Sequence, residues 1–279
     1  MSKTHPLLSN KPLLVALIVL VLYAAWFILP VFFADTSNVS ASKAIGVKGA
    51  ISQFSSEAII AVALFITITS LGWWHKIGFQ TVNSGGMKFL LPPIFLITLL
   101  TVIVAIVKPD SPGFLGFSNL QEFMLISLVI LLLGFNEELI FRGITFFGFR
   151  SICSLLTAII ITALIFGLFH YVNLLAGQGF SETSYQVIHA TAAGFMYGAL
   201  LLRIGAIWPV MIFHGVWDLS IFNIQTMLGV IKANIASVTP VSAVEFSLIH
   251  ALLMMLPAML YGSFVYWRWS LLKRRTDNK

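Results

Sequence analysis

A single long stretch decides the fold class of this chain: residues 119–148 read NLQEFMLISLVILLLGFNEELIFRGITFFG. The part from Phe123 to Phe135 contains no charged residue. A helix needs about 20 mainly apolar residues to cross a hydrocarbon layer of about 30 Å, and this stretch is longer than that. It therefore predicts a membrane-spanning helix that carries ionisable groups in its second half.

The chain as a whole has the composition of a membrane protein. Only 9% of its 279 residues are charged and 59% are hydrophobic, with a mean hydropathy of +0.98, whereas soluble domains average about 25% charged residues. The apolar runs lack the period-two alternation of outer-membrane strands. We therefore predict an all-α fold, a single membrane domain over residues 1–279 built as a polytopic bundle of about eight transmembrane helices. The predicted spans are 12–34, 56–74, 89–107, 119–148, 154–175, 185–203, 207–224 and 244–269.

The charge distribution predicts how this bundle is oriented. The formal net charge is +6, and the basic residues concentrate at span ends, as the positive-inside rule describes. With eight spans both termini share one side, and that side holds eleven basic residues against four opposite. We therefore expect cytoplasmic termini in a bacterial plasma membrane, with an endoplasmic reticulum protein as the alternative. The basic tail after Trp269 fits lipid phosphates better than nucleic acid, so no nucleic-acid partner is expected.

Three smaller features complete the general analysis. The lone Cys153 excludes an intramolecular disulfide. The neighbouring Trp73 and Trp74 are expected in an interfacial aromatic belt. Small residues from Ala190 to Gly198 predict close helix packing in the sixth span.

Ionisable residues inside the spans indicate where chemistry is to be sought, because each costs about 2.5–3.5 kcal/mol at the bilayer centre on insertion scales. Glu138 and Arg142 have the i, i+4 spacing of an intrahelical ion pair. Glu137 points about 100° away around the helix, so it can face a cavity as a general base must. The alternative is a purely structural clamp between helices. Four further ionisable residues fall at span ends: Glu57, Glu122, Arg203 and Glu245.

Two histidine motifs accompany the glutamates. Phe166-Gly-Leu-Phe-His170 closes the apolar part of the fifth span, and the alternative role for His170 is a hydrogen bond to a neighbouring carbonyl. His214 and Asp218 are four residues apart, so the pair can fix a tautomer, hold a metal or donate to a developing oxyanion. Gly215 leaves room for substrate or a neighbouring helix. Two other histidines have no such partner and are assigned to packing or pore lining: His189 and His250.

Taken together, the three motifs resemble those of a known family. Glu-Glu-x-x-x-Arg, Phe-x-x-x-His and His-x-x-x-Asp occur in this order at Glu137–Arg142, Phe166–His170 and His214–Asp218. This ordered set resembles the CAAX prenyl protease and bacteriocin-processing family of intramembrane proteases, also called the Abi family, over about residues 120–222. The resemblance implies hydrolysis of a peptide bond inside a helix-walled cavity that admits water. The substrate would be a membrane-associated peptide or protein, prenylated or unmodified.

The resemblance also implies roles for individual residues. Glu137 and His170 would activate the attacking water, and Glu138 with Arg142 would hold the first helix in place. His214 and the residue at 218 would stabilise the oxyanion. Asp218 stands where relatives of the prenyl protease often have Asn; because an ionised carboxylate cannot donate to an oxyanion, Asp218 would have to be protonated or orient His214 instead.

The cofactor and the function class keep alternatives at this point. Some family members are proposed to be metal-dependent, and Glu137, His170 and His214 could form a two-His, one-carboxylate site for a divalent metal such as zinc; metal-free catalysis is the other reading. Counted from the expected cytoplasmic ends, these three residues lie at different depths, which helix tilts of about 20° could reconcile. A proton-coupled transporter and a non-enzymatic membrane scaffold or immunity protein are the competing functions.

Overall fold

The computed structural model describes residues 6–33, 47–108, 120–228 and 248–277. Within those ranges the chain is helical and contains no strand. The α-helices are α1 (Pro6–Ser9), α2 (Pro12–Phe33), α3 (Val47–Leu71), α4 (Ser84–Met87), α5 (Leu91–Val107), α6 (Leu120–Glu138), α7 (Phe146–Arg150), α8 (Leu155–Phe169), α9 (Phe180–Ile204), α10 (Trp208–Met227) and α11 (Leu248–Asp277). A π-helical segment, Leu139–Thr145, joins α6 to α7, and 3₁₀ turns cover Lys88–Leu90 and His170–Ala176.

The all-helical polytopic bundle predicted from the sequence is confirmed. Each of the eight predicted spans corresponds to one long helix. Six segments of the described chain are long and apolar enough to cross a membrane: Pro12–Pro30, Ile51–Leu71, Ser84–Val107, Phe123–Arg150, Leu155–Leu175 and Phe180–Ile204. Membrane crossing by α10 and α11 stays a prediction.

Helix α9 forms the centre of the bundle, and its small residues make that possible. Its membrane window is 72% buried, far more than any other span of the described chain. A Cβ atom added to Gly194 would lie 3.1 Å from the Cα of Ala163, and one added to Gly198 would lie 2.8 Å from the side chain of Ile159. Because such contacts leave no room for a methyl group, α8 approaches α9 closely, which confirms the predicted small-residue packing.

A second close approach joins α6 to α10. A Cβ atom on Gly134 would lie 2.9 Å from the backbone nitrogen of Gly215, and a Cβ on Gly215 would lie 3.1 Å from the Cα of Leu131. The sequence predicted that either substrate or a neighbouring helix lies beside Gly215. The structure places a helix there, α6. This crossing brings His214, the residue before Gly215, towards the end of α6.

Connections at one end of the bundle are tied together by backbone hydrogen bonds. Asn83 N–H donates to the carbonyl of Ile204, and Ile207 N–H donates to the carbonyl of Gly78, both close to 2.9 Å. The α3–α5 connection therefore lies against the α9–α10 connection. Trp73 in the first of these is fully buried, and its Nε1 donates to the carbonyl of Ser9. The belt position predicted for Trp73 is wrong, because the connection folds inward here.

Candidate active site

The glutamate doublet lies at the last turn of α6, where the helix changes type. Glu138 is fully buried and Arg142 is 2% exposed, and Arg142 Nη1 lies 2.9 Å from Glu138 Oε1. The ion pair predicted from the i, i+4 spacing is confirmed. Arg142 is part of the π-helical segment, a conformation that is rare and found mostly at functional sites.

His214 connects the glutamates of α6 to Asp218 of α10. Its Nδ1 lies 2.9 Å from Glu138 Oε1, while its Nε2 lies 3.2 Å from Asp218 Oδ2 and 3.6 Å from Glu137 Oε2. The predicted pairing of His214 with Asp218 is therefore observed. The imidazole is 3% exposed and lies 4.6 Å from the ring of Tyr197, centroid to centroid.

Both ring nitrogens of His214 thus face carboxylate oxygens. An ionised carboxylate only accepts hydrogen bonds, and a neutral imidazole has a single N–H. If that N–H is on Nδ1 and donates to Glu138, the lone pair on Nε2 meets the oxygens of Asp218 and Glu137. This arrangement is favourable only when positive charge or a proton lies between Nε2 and those oxygens. The centre is therefore built for an imidazolium, a shared proton or a bound cation.

The three groups around Nε2 are close enough to hold a metal ion together. Glu137, His214 and Asp218 each offer a ligand atom, and these atoms lie within 4.8 Å of one another. The His214–Glu138 contact resembles the carboxylate–histidine pairs that orient ligating imidazoles. Exposure grows along the group, from 14% at Glu137 to 38% at Asp218. Substrate or water can therefore approach from the Asp218 side.

His170 lies outside this close group. Its Nδ1 is 2.9 Å from the carbonyl of Phe166, as the structural alternative predicted. Because a carbonyl can only accept, Nδ1 is the donor and Nε2 keeps a lone pair. His170 remains within electrostatic range of His214 and Asp218. Among the described residues the structure thus places Asp218, rather than His170, with Glu137 and His214; ligation by His170 stays a prediction.

Sequence reasoning missed a further buried carboxylate near the site. Glu57 on α3 is 1% exposed, and Asn136 Nδ2 donates to its Oε2 at 2.8 Å and to its backbone carbonyl at 2.9 Å. Asn136 immediately precedes Glu137, so this pair connects α3 to the glutamate-bearing end of α6. The sequence placed Glu57 at the end of a span starting at residue 56, whereas the structure starts this span at Ile51, which puts Glu57 inside it.

Some residues singled out from the sequence have other outcomes. His189 of α9 is half-buried and interacts electrostatically with Asp218; its assignment to packing or pore lining stays a prediction. The side chains of Glu122 and His250, and the whole of Glu245, lie outside the described part of the chain.

The apolar helices of this bundle, with a carboxylate–histidine centre buried among them, define an integral membrane protein. Residues 119–220 match the family model described as "Rce1-like: Type II CAAX prenyl endopeptidase Rce1-like". This match coincides closely with the predicted 120–222 and supports, for that segment, the resemblance to the CAAX prenyl protease and bacteriocin-processing family that its motifs indicated. No curated protein and no solved structure matches the chain significantly.

Proposed function

We propose that the protein is an intramembrane endopeptidase in which Glu137 activates the water that attacks the peptide bond. The family match supports a CAAX-type endopeptidase. The observation that carries the finer proposal is the position of Glu137, whose carboxylate faces His214 Nε2 at 3.6 Å and keeps 14% exposure inside an apolar bundle. A base that is held in place and still accessible to water is what general-base catalysis requires.

The proposed chemistry follows from the contacts of each side chain. Glu137 takes a proton from water as the water oxygen bonds to the scissile carbonyl carbon, and the proton then passes to the leaving amine as the C–N bond breaks. His170, with its Nε2 lone pair free of the Phe166 carbonyl, helps to orient that water. Without a bound cation, a protonated His214 supplies positive charge next to the developing oxyanion, and Asp218 orients the imidazolium rather than donating to the oxyanion. A cation ligated by Nε2 would supply that positive charge instead.

A divalent cation such as zinc is the cofactor that the donor set would accept. Glu137, His214 and Asp218 would hold it, and Glu138 would fix the His214 tautomer that leaves Nε2 free to ligate. When bound, the cation would act as a Lewis acid. The metal content of the purified protein tests this directly: we expect about one zinc per chain in the native protein and loss of the metal in Asp218→Asn. A metal-free active protein would contradict this cofactor.

The proposed substrate is a peptide or protein at the membrane surface, with prenylated peptides as the first class to test. The orientation remains part of the proposal: both termini cytoplasmic, in a bacterial plasma membrane. Its support is that Lys76, Arg150 and Lys273 line one cavity. All three are among the eleven basic residues that the sequence assigns to the side of the termini.

The test is cleavage of a panel of prenylated and unmodified peptides by purified protein in detergent. Glu137→Gln keeps the side-chain volume and removes the base, so we expect a loss of about 10²–10⁴-fold in kcat/KM. Glu182→Gln, the same change in the first turn of α9, is the matched control and should keep full activity. Undiminished cleavage by a folded Glu137→Gln variant would exclude the proposed base.

A further inference from the structure

A cavity of about 540 Å³ is lined by Arg142 but by none of the carboxylates of the candidate site. Five parts of the chain contribute walls: the connection after α3, the π-helical segment with α7, the start of α8, the end of α9, and α11. Besides Arg142, three exposed basic side chains line it: Lys76, Arg150 and Lys273. The cavity therefore opens where the basic ends of the helices meet.

The positive charge of this cavity is not balanced by the protein. Its lining contains no Asp or Glu. In the ranges that the structure describes, the ion pairs within 4.0 Å all involve Arg142 or His214, and none reaches Lys76, Arg150 or Lys273. Three cations held around one opening without counter-charges repel each other, so a bound anion would stabilise the arrangement.

The buried member of the lining gives an independent indication of a ligand. Only 2% of the Arg142 side chain is exposed, and Nη1 forms the ion pair with Glu138. Its Nε and Nη2 have no hydrogen-bond partner among the described residues, and the guanidinium lies 4.1 Å from the ring centroid of Phe166 and 5.2 Å from that of Tyr197. These rings offer cation–π contacts but no acceptor atom, and buried donors without an acceptor are costly.

The remaining walls indicate which anion fits. Apolar side chains, among them Phe146, Leu155 and Trp269, line the same cavity as the cations, and Lys273 Nζ lies 5.4 Å from the Trp269 ring centroid. Guanidinium and ammonium groups together are the usual partners of phosphate oxygens. Basic pockets between membrane helices with apolar walls bind the headgroups of anionic lipids.

We propose that this cavity binds a phosphate group, presented either by the headgroup of an anionic phospholipid or by a soluble phosphate compound. The proposal does not depend on the peptidase assignment, because no step of hydrolysis uses Lys76, Arg150 or Lys273.

The full chain is purified in detergent and exchanged into micelles that contain phosphatidylglycerol and phosphatidylcholine in equal amounts and with identical acyl chains. The experiment measures which lipid the protein retains. Native mass spectrometry counts the bound lipids. We expect phosphatidylglycerol to be retained selectively, and the triple variant Lys76→Gln, Arg150→Gln, Lys273→Gln to lose at least about tenfold in that selectivity, since each removed cation weakens the attraction.

The matched control removes the same charges elsewhere. Lys11→Gln, Lys108→Gln and Arg274→Gln also neutralise two lysines and one arginine, and none of them lines the cavity. This triple variant should retain phosphatidylglycerol as the native protein does. Because all six side chains are exposed, both variants should fold; the single variant Lys273→Gln, with a smaller loss, serves if the cavity triple does not.

A second measurement separates the two sources of phosphate. Calorimetric titration of the detergent-purified protein with inorganic phosphate and with pyrophosphate, at constant ionic strength, reports soluble anions. If the native protein binds phosphate or pyrophosphate, shows no lipid selectivity, and the cavity variants lose the binding, the site holds a soluble ligand. If the native protein retains phosphatidylglycerol selectively and the cavity variants lose this selectivity, the site holds a lipid headgroup. Equal behaviour of the native protein, the cavity variants and the control in both measurements would overturn the proposal.

Discussion

The first three spans and the family-matched segment differ in what they do with their surfaces. The spans in α2, α3 and α5 are 17%, 28% and 17% buried. In the family-matched segment the spans Phe123–Arg150 and Leu155–Leu175 are each 33% buried, and α9 is 72% buried. Large apolar side chains of the first group, such as Val21, Phe65 and Phe95, are more than half exposed. In a bilayer those faces contact lipid, which is as apolar as they are. The ionisable centre instead lies in the segment whose helices pack on one another.

The comparison has one exception, and it is informative. Glu57 belongs to the lipid-facing group of helices, yet it is buried against Asn136 of α6. A carboxylate in a span needs a polar partner, and Asn136 is one residue from the proposed base. Glu57 therefore gives the first three spans a polar contact with the glutamate-bearing end of α6, beside aromatic contacts such as that of Tyr23 with Phe141, while most of their surface faces outward.

The largest effect on stability is expected at Glu138. Glu138→Gln leaves Arg142 as a buried charge without its counter-ion and weakens the contact with His214, so the free energy of unfolding should fall by about 3–5 kcal/mol. Unfolding in mixed micelles measures it. Adding Arg142→Met to Glu138→Gln removes the unpaired charge and should restore much of the stability. If Glu138→Gln alone leaves the free energy of unfolding unchanged, buried charge does not distinguish the family-matched segment from the first three spans.

An intermediate effect is expected at the crossing of α6 and α10. Gly215→Ala would bring a methyl group to about 3 Å of the Leu131 backbone, and overpacking of this kind costs about 1–3 kcal/mol. The separation of the helices should also move His214 away from Glu138, so cleavage should fall with stability. Val216→Ala, the next residue and 41% exposed, is the control and should change little. Equal effects of the two variants would show that the close approach is not required.

The smallest effect is expected at the exception. Glu57→Gln keeps an oxygen that can accept from Asn136. The free energy of unfolding should therefore fall by no more than about 1 kcal/mol, the size of one hydrogen bond. Phe65→Leu on the lipid-facing side of the same helix should stay within about 0.5 kcal/mol. A loss at Glu57 as large as that at Glu138 would mean that α3 is part of the central charge network, which would remove the distinction drawn between the two regions.

The sequence predicted those features that depend on neighbours along one helix. The Glu138–Arg142 and His214–Asp218 pairs follow from i, i+4 spacing, and both are present. Membrane helices were equally predictable, because each must satisfy its backbone hydrogen bonds internally and so produces a local apolar run.

Features that depend on two helices were not predictable from spacing. The contact between His214 and Glu138 joins residues 76 positions apart, and its cause is the Gly134–Gly215 approach, which no count along one helix reveals. For the same reason the sequence did not show that the carboxylates of Asp218 and Glu137 lie close together. Glu57 was missed because the start of an apolar run does not show which of its polar residues turns inward.

The π-helical segment has a consequence for any helical wheel drawn through this region. An α-helix advances about 100° per residue, but the wider turn from Leu139 to Thr145 advances less. Wheels started at Glu137 therefore lose phase before they reach Phe146 and Arg150. Before the wider turn the helix directs carboxylates to His214, and after it the helix directs Arg150 to the basic cavity. The wider turn therefore changes which direction the side chains of one continuous helix take.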